Sequence, residues 1–509
     1  MSNGVDTIYR PGVAVLSRAN QAASGVPTDT TVGFIVGEAS QGPVGTATQL
    51  TSMDQGVSIY GGRLAAAPFL YDGMELFFRE GGGTLYVSRL ADSAVAAHVA
   101  APAFGTDADL AAASPGAFAD GYKLDVTAAT VGSQQSLVNR PAGLVFADEQ
   151  SSTGDPFTAQ LTDSTGKLLQ QSLQIYTTDD LAAWLATQNY ATLTEFTPGE
   201  ALTAVSLTLA GGADGTVPVT DPDALGTSLD AFSTELGPGQ LWAPGKTDPE
   251  MQAALMVHAS SHNRVALLDA PQGADVPTLV AYGSALRDQV TDRYASLWAP
   301  WVTIPGVAQG TTRTVPWSSV QAGLIARADA AAGHANVAAA GDNGQSFFAL
   351  DVTQTFSDAD RQTLLFAGVN TVRLRYGTVR AYGFRSLSAS PGLNSPWVQF
   401  NHGRLNMQIV ADSEEIGEEY VFSQIDGRGL TIAAFHGELN GMLGDLFDLG
   451  ALYGATPDDA YDVNTSPSVN TIETISNGEL HAILSVKMSP HAELVEIEIV
   501  KVALTEALS

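Results

Sequence analysis

The sequence predicts an α/β core with parallel strands, carrying a mostly-β insertion and followed by an α+β C-terminal unit. Three observations predict it. Residues 238–305 alternate short apolar runs with stretches of helical period, the pattern of parallel strands joined by crossover helices. Residues 91–210 shift to Ala, Ser, Thr, Gln and Asp and hold only short β-prone runs. Residues 396–509 join an amphipathic helical stretch to a terminal run in which Val495, Ile497 and Ile499 alternate with Glu496 and Glu498.

In chain order, residues 1–30 read as an N-terminal arm and linker. Residues 7–16 (TIYRPGVAVL) carry Ile8, Tyr9, Val13 and Val15 in an extended, β-prone segment. Pro11 lacks an N–H and fits a strand only at an edge or bend. Residues 17–30 are small and polar, as in a linker. The core opens at 31–90. Val32 to Val36, closed by Gly37, predicts a buried strand. Residues 64–80 place Phe69, Met74, Phe77 and Phe78 at helical spacing. Gly81-Gly82-Gly83 ends that helix before a strand over 84–90.

The insertion spans 91–210. Its β-prone runs are 122–127, 142–147, 168–175 and 204–209, with one helix near 179–188. About three Lys or Arg fall in it, so its surface is anionic. Gly211-Gly212-Ala213-Asp214-Gly215 reads as the hinge through which the chain returns. The core resumes over 211–395. Strands are predicted at 240–244, 265–269 and 295–304, and helices at 249–261, 278–289 and 318–332, the last ended by Gly333. The C-terminal unit covers 396–492. Residues 430–452 put Phe435, Leu439, Met442, Leu446 and Phe447 on one side of a helix. Residues 493–509 form a C-terminal arm, whose run 494–502 reads as a half-buried strand by its period of two. No internal repeat or low-complexity block is visible.

Composition bounds the function. The chain has 509 residues, 54 Asp plus Glu, 23 Lys plus Arg, 8 His and no Cys, for a formal charge of −31. The missing Cys removes disulfides, thiolate metal sites and a Cys nucleophile. The charge opposes binding to nucleic acid or to an anionic membrane. No secretory signal and no apolar run long enough for a transmembrane helix is expected.

Chemical motifs are weak. His258 and His262 are one helical turn apart, but Ala259 stands where a zinc protease needs Glu, so a plain pair on a helix surface is expected. Gly245-Lys246-Thr247 resembles the end of a phosphate loop, but Gln240 occupies the position of its first Gly and Pro244 removes an N–H. A strand-to-helix turn with Thr247 or Asp248 as N-cap and Pro249 at the first helical position fits better. Asp269 ends a parallel strand, where α/β enzymes keep carboxylates; a turn residue bonded to its own backbone is the plainer expectation. The pairs Glu414/Glu415, Glu418/Glu419 and Asp458/Asp459 read as solvated faces. An acidic hydrolase using Asp269 or these carboxylates is the alternative of another class. No cofactor or metal site is expected. The terminal β-prone runs have two outcomes: edge strands of their own domain, or strands donated to a neighbouring subunit.

Read in order, these segments resemble the sheath proteins of contractile phage tails and related injection machines. The resemblance runs through most of the chain outside 91–210. "YRPGVAV" resembles the family's N-terminal arm, and "TVGFIVGEASQGPVGTATQLTSMDQGVSIYGG" its first strand and Gly-Pro turn. "MELFFREGGGTLYVSRL" resembles its helix-to-strand junction, with Glu80 where Asn is commoner. "YASLWAPWVTIPG" and "VPWSSVQAGLIARADAAAGHANVAAAG" are the strongest match. "GVNTVRLRYGTVRAYGFRSL" follows, then "WVQFNHGRLNMQI", with Gly403 where Arg is common, and "NGELHAILSVKMSPHAELVEIEI". "SPGAFADGYKLDV" and "LAGGADG" resemble landmarks of the family's insert.

The resemblance implies a structural subunit and no enzyme. It implies hexameric rings stacked helically around a tail tube, with baseplate and tail terminator proteins as further partners, and no nucleic acid or membrane insertion. It implies a virion tail assembled in the host bacterial cytoplasm, or the same part in a headless contractile bacteriocin or extracellular injection system. It implies that the arms are exchanged between subunits and complete a small shared sheet, placing Ile8, Tyr9, Val13, Val15, Val495, Ile497 and Ile499 in intersubunit strands. It implies a tube-proximal C-terminal domain and an outward insert.

Overall fold

The computed structural model describes residues 16–17, 20–21, 28–129, 156–187, 190–288, 290–389, 395–497 and 499. Its centre is an eight-stranded sheet. Across it the strands run Thr378–Ala381, Val369–Arg375, Ala295–Ala299, Val265–Asp269, Gln240–Trp242, Gly33–Gly37, Leu85–Arg89 and Thr48–Leu50. The six inner strands are parallel, and each edge carries one antiparallel strand.

Both faces of this sheet are covered, as a parallel sheet requires. Ile35 and Trp242 point to one side, with Leu70, Met74 and Phe77 of helix Phe69–Arg79 and with Leu324 and Ile325 of helix Ser318–Ala332. Phe34, Val36 and Leu241 point to the other, with Leu255 of helix Pro249–Ser261, Leu279 of helix Val276–Leu286 and Leu364 of helix Asp358–Phe366. Strands Gly33–Gly37 and Val265–Asp269 are buried at every position. The two helices on the first face approach closely at Gly323. A Cβ there would lie 2.6 Å from Glu80 Cβ and 2.9 Å from the Phe77 carbonyl.

Helices 249–261 and 318–332 fall where the sequence predicts them. The predicted strand 295–304 is two strands. Ala295–Ala299 stays in the large sheet, and Val302–Pro305 joins an antiparallel sheet with Thr312–Val315 and Asp351–Val352. Pro300 has no N–H to continue the ladder, and the chain turns there.

Between the crossing points lies a separate apolar cluster drawn from residues 97–209, with a four-stranded and a three-stranded sheet and helix Thr178–Ala186. The predicted run 142–147 lies outside the described residues. The outgoing and returning chains pair where they cross: Val95 bridges Ala213, and the Thr216 N–H donates to the Asp92 carbonyl at 3.0 Å. Gly215, with φ +74°, sits against that same carbonyl and leaves no space for a side chain.

The C-terminal unit packs helix Phe400–Glu418 against helix Leu430–Asp448 through Leu405, Ile409, Phe435, Leu439 and Leu443. It ends in an antiparallel pair, Tyr461–Asn464 with Ile483–Val486. No helix among the described residues is long and apolar enough to cross a membrane.

Candidate functional site: the root of the C-terminal arm

The helix Phe400–Glu418 joins the two units. Phe400 and Met407 enter the core cluster, while Leu405 and Ile409 enter the C-terminal one. Gly403 lies where a Cβ would be 2.5 Å from the Arg293 carbonyl, so a side chain has no place at this crossing. Arg404 is buried and pairs with Asp329 of the 318–332 helix. The Thr30 hydroxyl donates to the same Asp329 oxygen at 2.9 Å. Burial raises the Asp329 carboxyl, and Arg404 acts against that rise.

Beside this pair the last described segment is fastened by side chains. Asn336 Nδ2 donates to the Ser489 carbonyl at 3.0 Å and to the Ala451 carbonyl at 2.7 Å. Asn401 Nδ2 donates to Asn336 Oδ1 at 2.5 Å. Gln399 clasps the backbone of His491 at both ends, donating to its carbonyl at 2.8 Å and accepting from its N–H at 2.9 Å. Arg385 then pairs with Glu493. The bonds to the Ser489 carbonyl and to both backbone groups of His491 satisfy groups outside a strand ladder, which is how such a segment is tied down.

Beyond Glu493 the character changes. Val495, Ile497 and Ile499 are 75%, 79% and 90% exposed, and none is in a strand. The half-buried strand expected over 494–502 is therefore not formed within this chain at the described positions 494–497 and 499. The alternating pattern is present, but no surface among the described residues buries it. Ile8, Tyr9, Val13 and Val15 lie outside the described residues. The asparagines and Gln399 were not singled out from sequence; their only signal is a cluster of amide side chains around 399–401.

The other candidates resolve differently. Asp269 is buried and accepts from the Ser318 N–H at 3.0 Å, the Ser318 hydroxyl at 2.7 Å and the Gly245 N–H at 3.1 Å. Burial pushes its carboxyl up to about 6, and these bonds oppose the rise. It thus ties the Gly245 turn and the start of helix Ser318–Ala332 to its strand and is not a turn residue bonded to its own backbone. Lys246 is buried against Glu38 and the Val219 carbonyl, and Asp248 caps the next helix through the N–H groups of Glu250 and Met251. His258 is not a surface residue as expected. Its ring stacks on His262 at 3.9 Å, beside Arg264, and burial first, then those two neighbours, pushes it down to about 3. Glu414 likewise departs from a solvated face. The inward period of its helix buries it, and burial followed by the Glu418 charge lifts it to about 8. Glu415, Glu418, Asp458 and Asp459 are exposed as expected. Glu80 is fully buried and receives the N–H groups of Phe347 and Phe348. Among the described residues no cluster of His, Cys, Asp and Glu fits a metal ion.

Side-chain bonds thus hold the backbone of Ser489 and His491, while Val495, Ile497 and Ile499 beyond them stay exposed. The chain has the fold of contractile tail sheath proteins. It is similar to the sheath tail protein of Listeria innocua at 15% identity and a TM-score of 0.56, covering 92% of this chain and 96% of that one. The sheath tail protein of Desulfitobacterium hafniense gives 16% identity and 0.53 over 89% and 93%. A chain of the anti-feeding prophage baseplate in its contracted state gives 15% and 0.58 over 98% and 100%. No protein-family model and no curated relative matches the sequence.

Proposed function

We propose that this chain is the structural subunit of a contractile tail sheath. It polymerises as stacked hexameric rings around a tail tube and contracts by rearrangement of its subunits, driving the tube through a host envelope. Its partners are further copies of itself, the tube protein, and baseplate and terminator proteins. The reading is carried by one observation: an alternating apolar segment leaves the body at Glu493 and stays exposed, on a fold shared nearly end to end with sheath proteins.

In this reading residues 1–30 and 493–509 are arms, 31–90 with 211–395 the core, 91–210 an outward insert and 396–492 the tube-proximal domain. Ile8, Tyr9, Val13, Val15, Val495, Ile497 and Ile499 lie in strands shared between copies. The acceptor is the two-stranded pair 461–464 and 483–486, since a sheet this small gains most from added strands. Contraction needs no nucleotide. Burying an extra ~40 Å² of apolar surface per subunit releases about 1 kcal/mol, and the sum over a long sheath performs work. The protein acts as a scaffold and not as an enzyme.

The host particle is a phage with its sheath in the virion tail, assembled in the bacterial cytoplasm. A second reading, a headless contractile particle, is favoured by similarity to chains of the anti-feeding prophage and of an extracellular contractile injection system. The test is removal of residues 494–509. The expected product is a folded, soluble monomer that forms no tubes under the electron microscope, while the full chain forms wide ring-stacked tubes. Normal tubes from the shortened chain would overturn the shared-strand reading.

A further inference from the structure

The edge hairpin Val369–Arg375/Thr378–Ala381 gathers positive charge in a chain that has little of it. Arg373, Arg375 and Arg380 project from it and Arg361 stands beside them, four of only 23 basic residues. The register sets Arg373 directly opposite Arg380. Like charges opposed across a ladder destabilise it, and the repulsion shows in the guanidinium groups. Burial first lowers those of Arg361 and Arg373, neighbouring arginines add to the fall and Tyr382 opposes it, while bonds to Tyr376 and Tyr382 raise that of Arg375.

Among the described residues the cluster is neutralised only in part. Arg380 meets Asp342 and Arg361 meets Asp358, but these carboxylates are 92% and 96% exposed, so each pair is weak. Arg373 and Arg375 form no carboxylate pair among the described residues. Arg373 lies over the Tyr382 ring at 3.4 Å, and Arg375 bonds the Tyr376 and Tyr382 hydroxyls at 3.0 and 3.2 Å. The Nε–H groups of Arg373 and Arg380 are buried without a hydrogen-bond partner. Leu374, Tyr376 and Tyr382 are exposed around them. Segment 341–346 already occupies the backbone edge of strand Thr378–Ala381, so the hairpin offers side chains and not a ladder.

A surface of opposite kind lies on the C-terminal unit. Asp445, Asp448 and Asp458 converge on Tyr461, and all three are exposed beside exposed Leu449 and Tyr453. None of the three is in an ion pair among the described residues. Arginine with tyrosine and leucine on one side thus answers aspartate with tyrosine and leucine on the other. Arg–carboxylate pairs framed by aromatic rings are strong and directional.

We propose that the Arg373/Arg375 hairpin of one copy docks on the Asp445/Asp448/Asp458 surface of a second copy. The inference rests on the self-assembly reading above and names a contact separate from the arms. Two different patches meet, so the contact is head-to-tail and propagates into a ring or a helix instead of closing as a dimer. It also gives the repulsion within the hairpin a use, because the partner supplies the missing anions.

The experiment measures self-association of the full chain by sedimentation across concentration, with tubes counted by electron microscopy. Arg373→Glu with Arg375→Glu, and separately Asp445→Lys with Asp448→Lys, should each weaken association by roughly 100-fold, since opposed like charges cost several kcal/mol. Thermal melting should stay that of the parent. Mixing the two variants one to one should restore association, because alternating copies then match at both contacts. Where reversal disturbs folding, Arg375→Gln and Asp448→Asn report the same contact with a loss of about 10-fold. A parent that associates and variants that associate equally well overturn this inference and leave the sheath reading standing. Variants that fail alone and also fail when mixed overturn the choice of occupant. A parent that stays monomeric at every concentration overturns both.

Discussion

The eight-stranded sheet and the two-stranded pair at 461–464 and 483–486 solve the same problem to different extents. The large sheet is buried on both faces, and the edge at Thr378–Ala381 is taken by segment 341–346. The small pair exposes Ile483 and is followed by an apolar run that stays exposed among the described residues. Edge strands left open invite pairing with other chains. The difference separates a sheet covered on both faces from a pair that leaves apolar side chains exposed.

The comparison can be broken first at the joint between the two regions. Replacing Asp329 with Ala strands the buried Arg404 and should cost about 3–5 kcal/mol of stability, read by denaturant unfolding. An effect under about 1 kcal/mol would mean that the two units do not share a core through this pair. Next, Glu80→Ala removes the acceptor of the Phe347 and Phe348 N–H groups and should cost on the order of 2–3 kcal/mol. The closed body should lose stability without any loss in the arm root.

The third test uses pH. Glu414 is raised from its ordinary value to about 8, chiefly by burial. Its neutral form is favoured in the fold, so the stability it allows is fully present below the unfolded pKa. That stability is lost as pH rises through about 8. Melting temperature should fall between pH 6 and pH 9, and Glu414→Gln should flatten that slope and gain about 2 kcal/mol at pH 9. Asp412, lifted to about 7 by burial and by Glu415, adds to the slope in the same direction and remains in the variant. A variant whose slope matches the parent's would assign it to Asp412 instead. The smallest effect is the sharpest contrast. Ile497→Asp should change monomer stability by less than about 0.5 kcal/mol, since that side chain is 79% exposed, and yet abolish tubes. A large destabilisation of the monomer would show that the run belongs to its own body.

Sequence reading succeeds where local signals agree. Helix 249–261 has Asp248 as its cap and Pro249 at its start, and helix 318–332 stops at Gly333 in the left-handed region. It fails where distant contacts decide. The run 295–304 is apolar apart from Ser296 and Thr303, so its period does not mark the change of sheet at Pro300. Glu414 sits among charges that are solvated, and only the packing of its helix reveals that it is inside. The arm root is invisible to periodicity because amides at 336, 399 and 401 act across long separations. The alternation at 494–502 is legible as a strand pattern, whereas the exposure of Val495, Ile497 and Ile499 is not something the period reveals.

One carboxylate described above has a consequence for how tension travels. Asp329 is held by Arg404 and by Thr30, and Thr30 lies where the N-terminal arm meets the body. Asn336, a few residues further on, and Asn401, one turn before Arg404, fasten the other end of the chain. A pull on either end would therefore reach the same pair of helices, and on the Thr30 side it would also reach the large sheet, because strand Gly33–Gly37 follows directly and Gln240 donates to the Thr30 carbonyl at 2.6 Å.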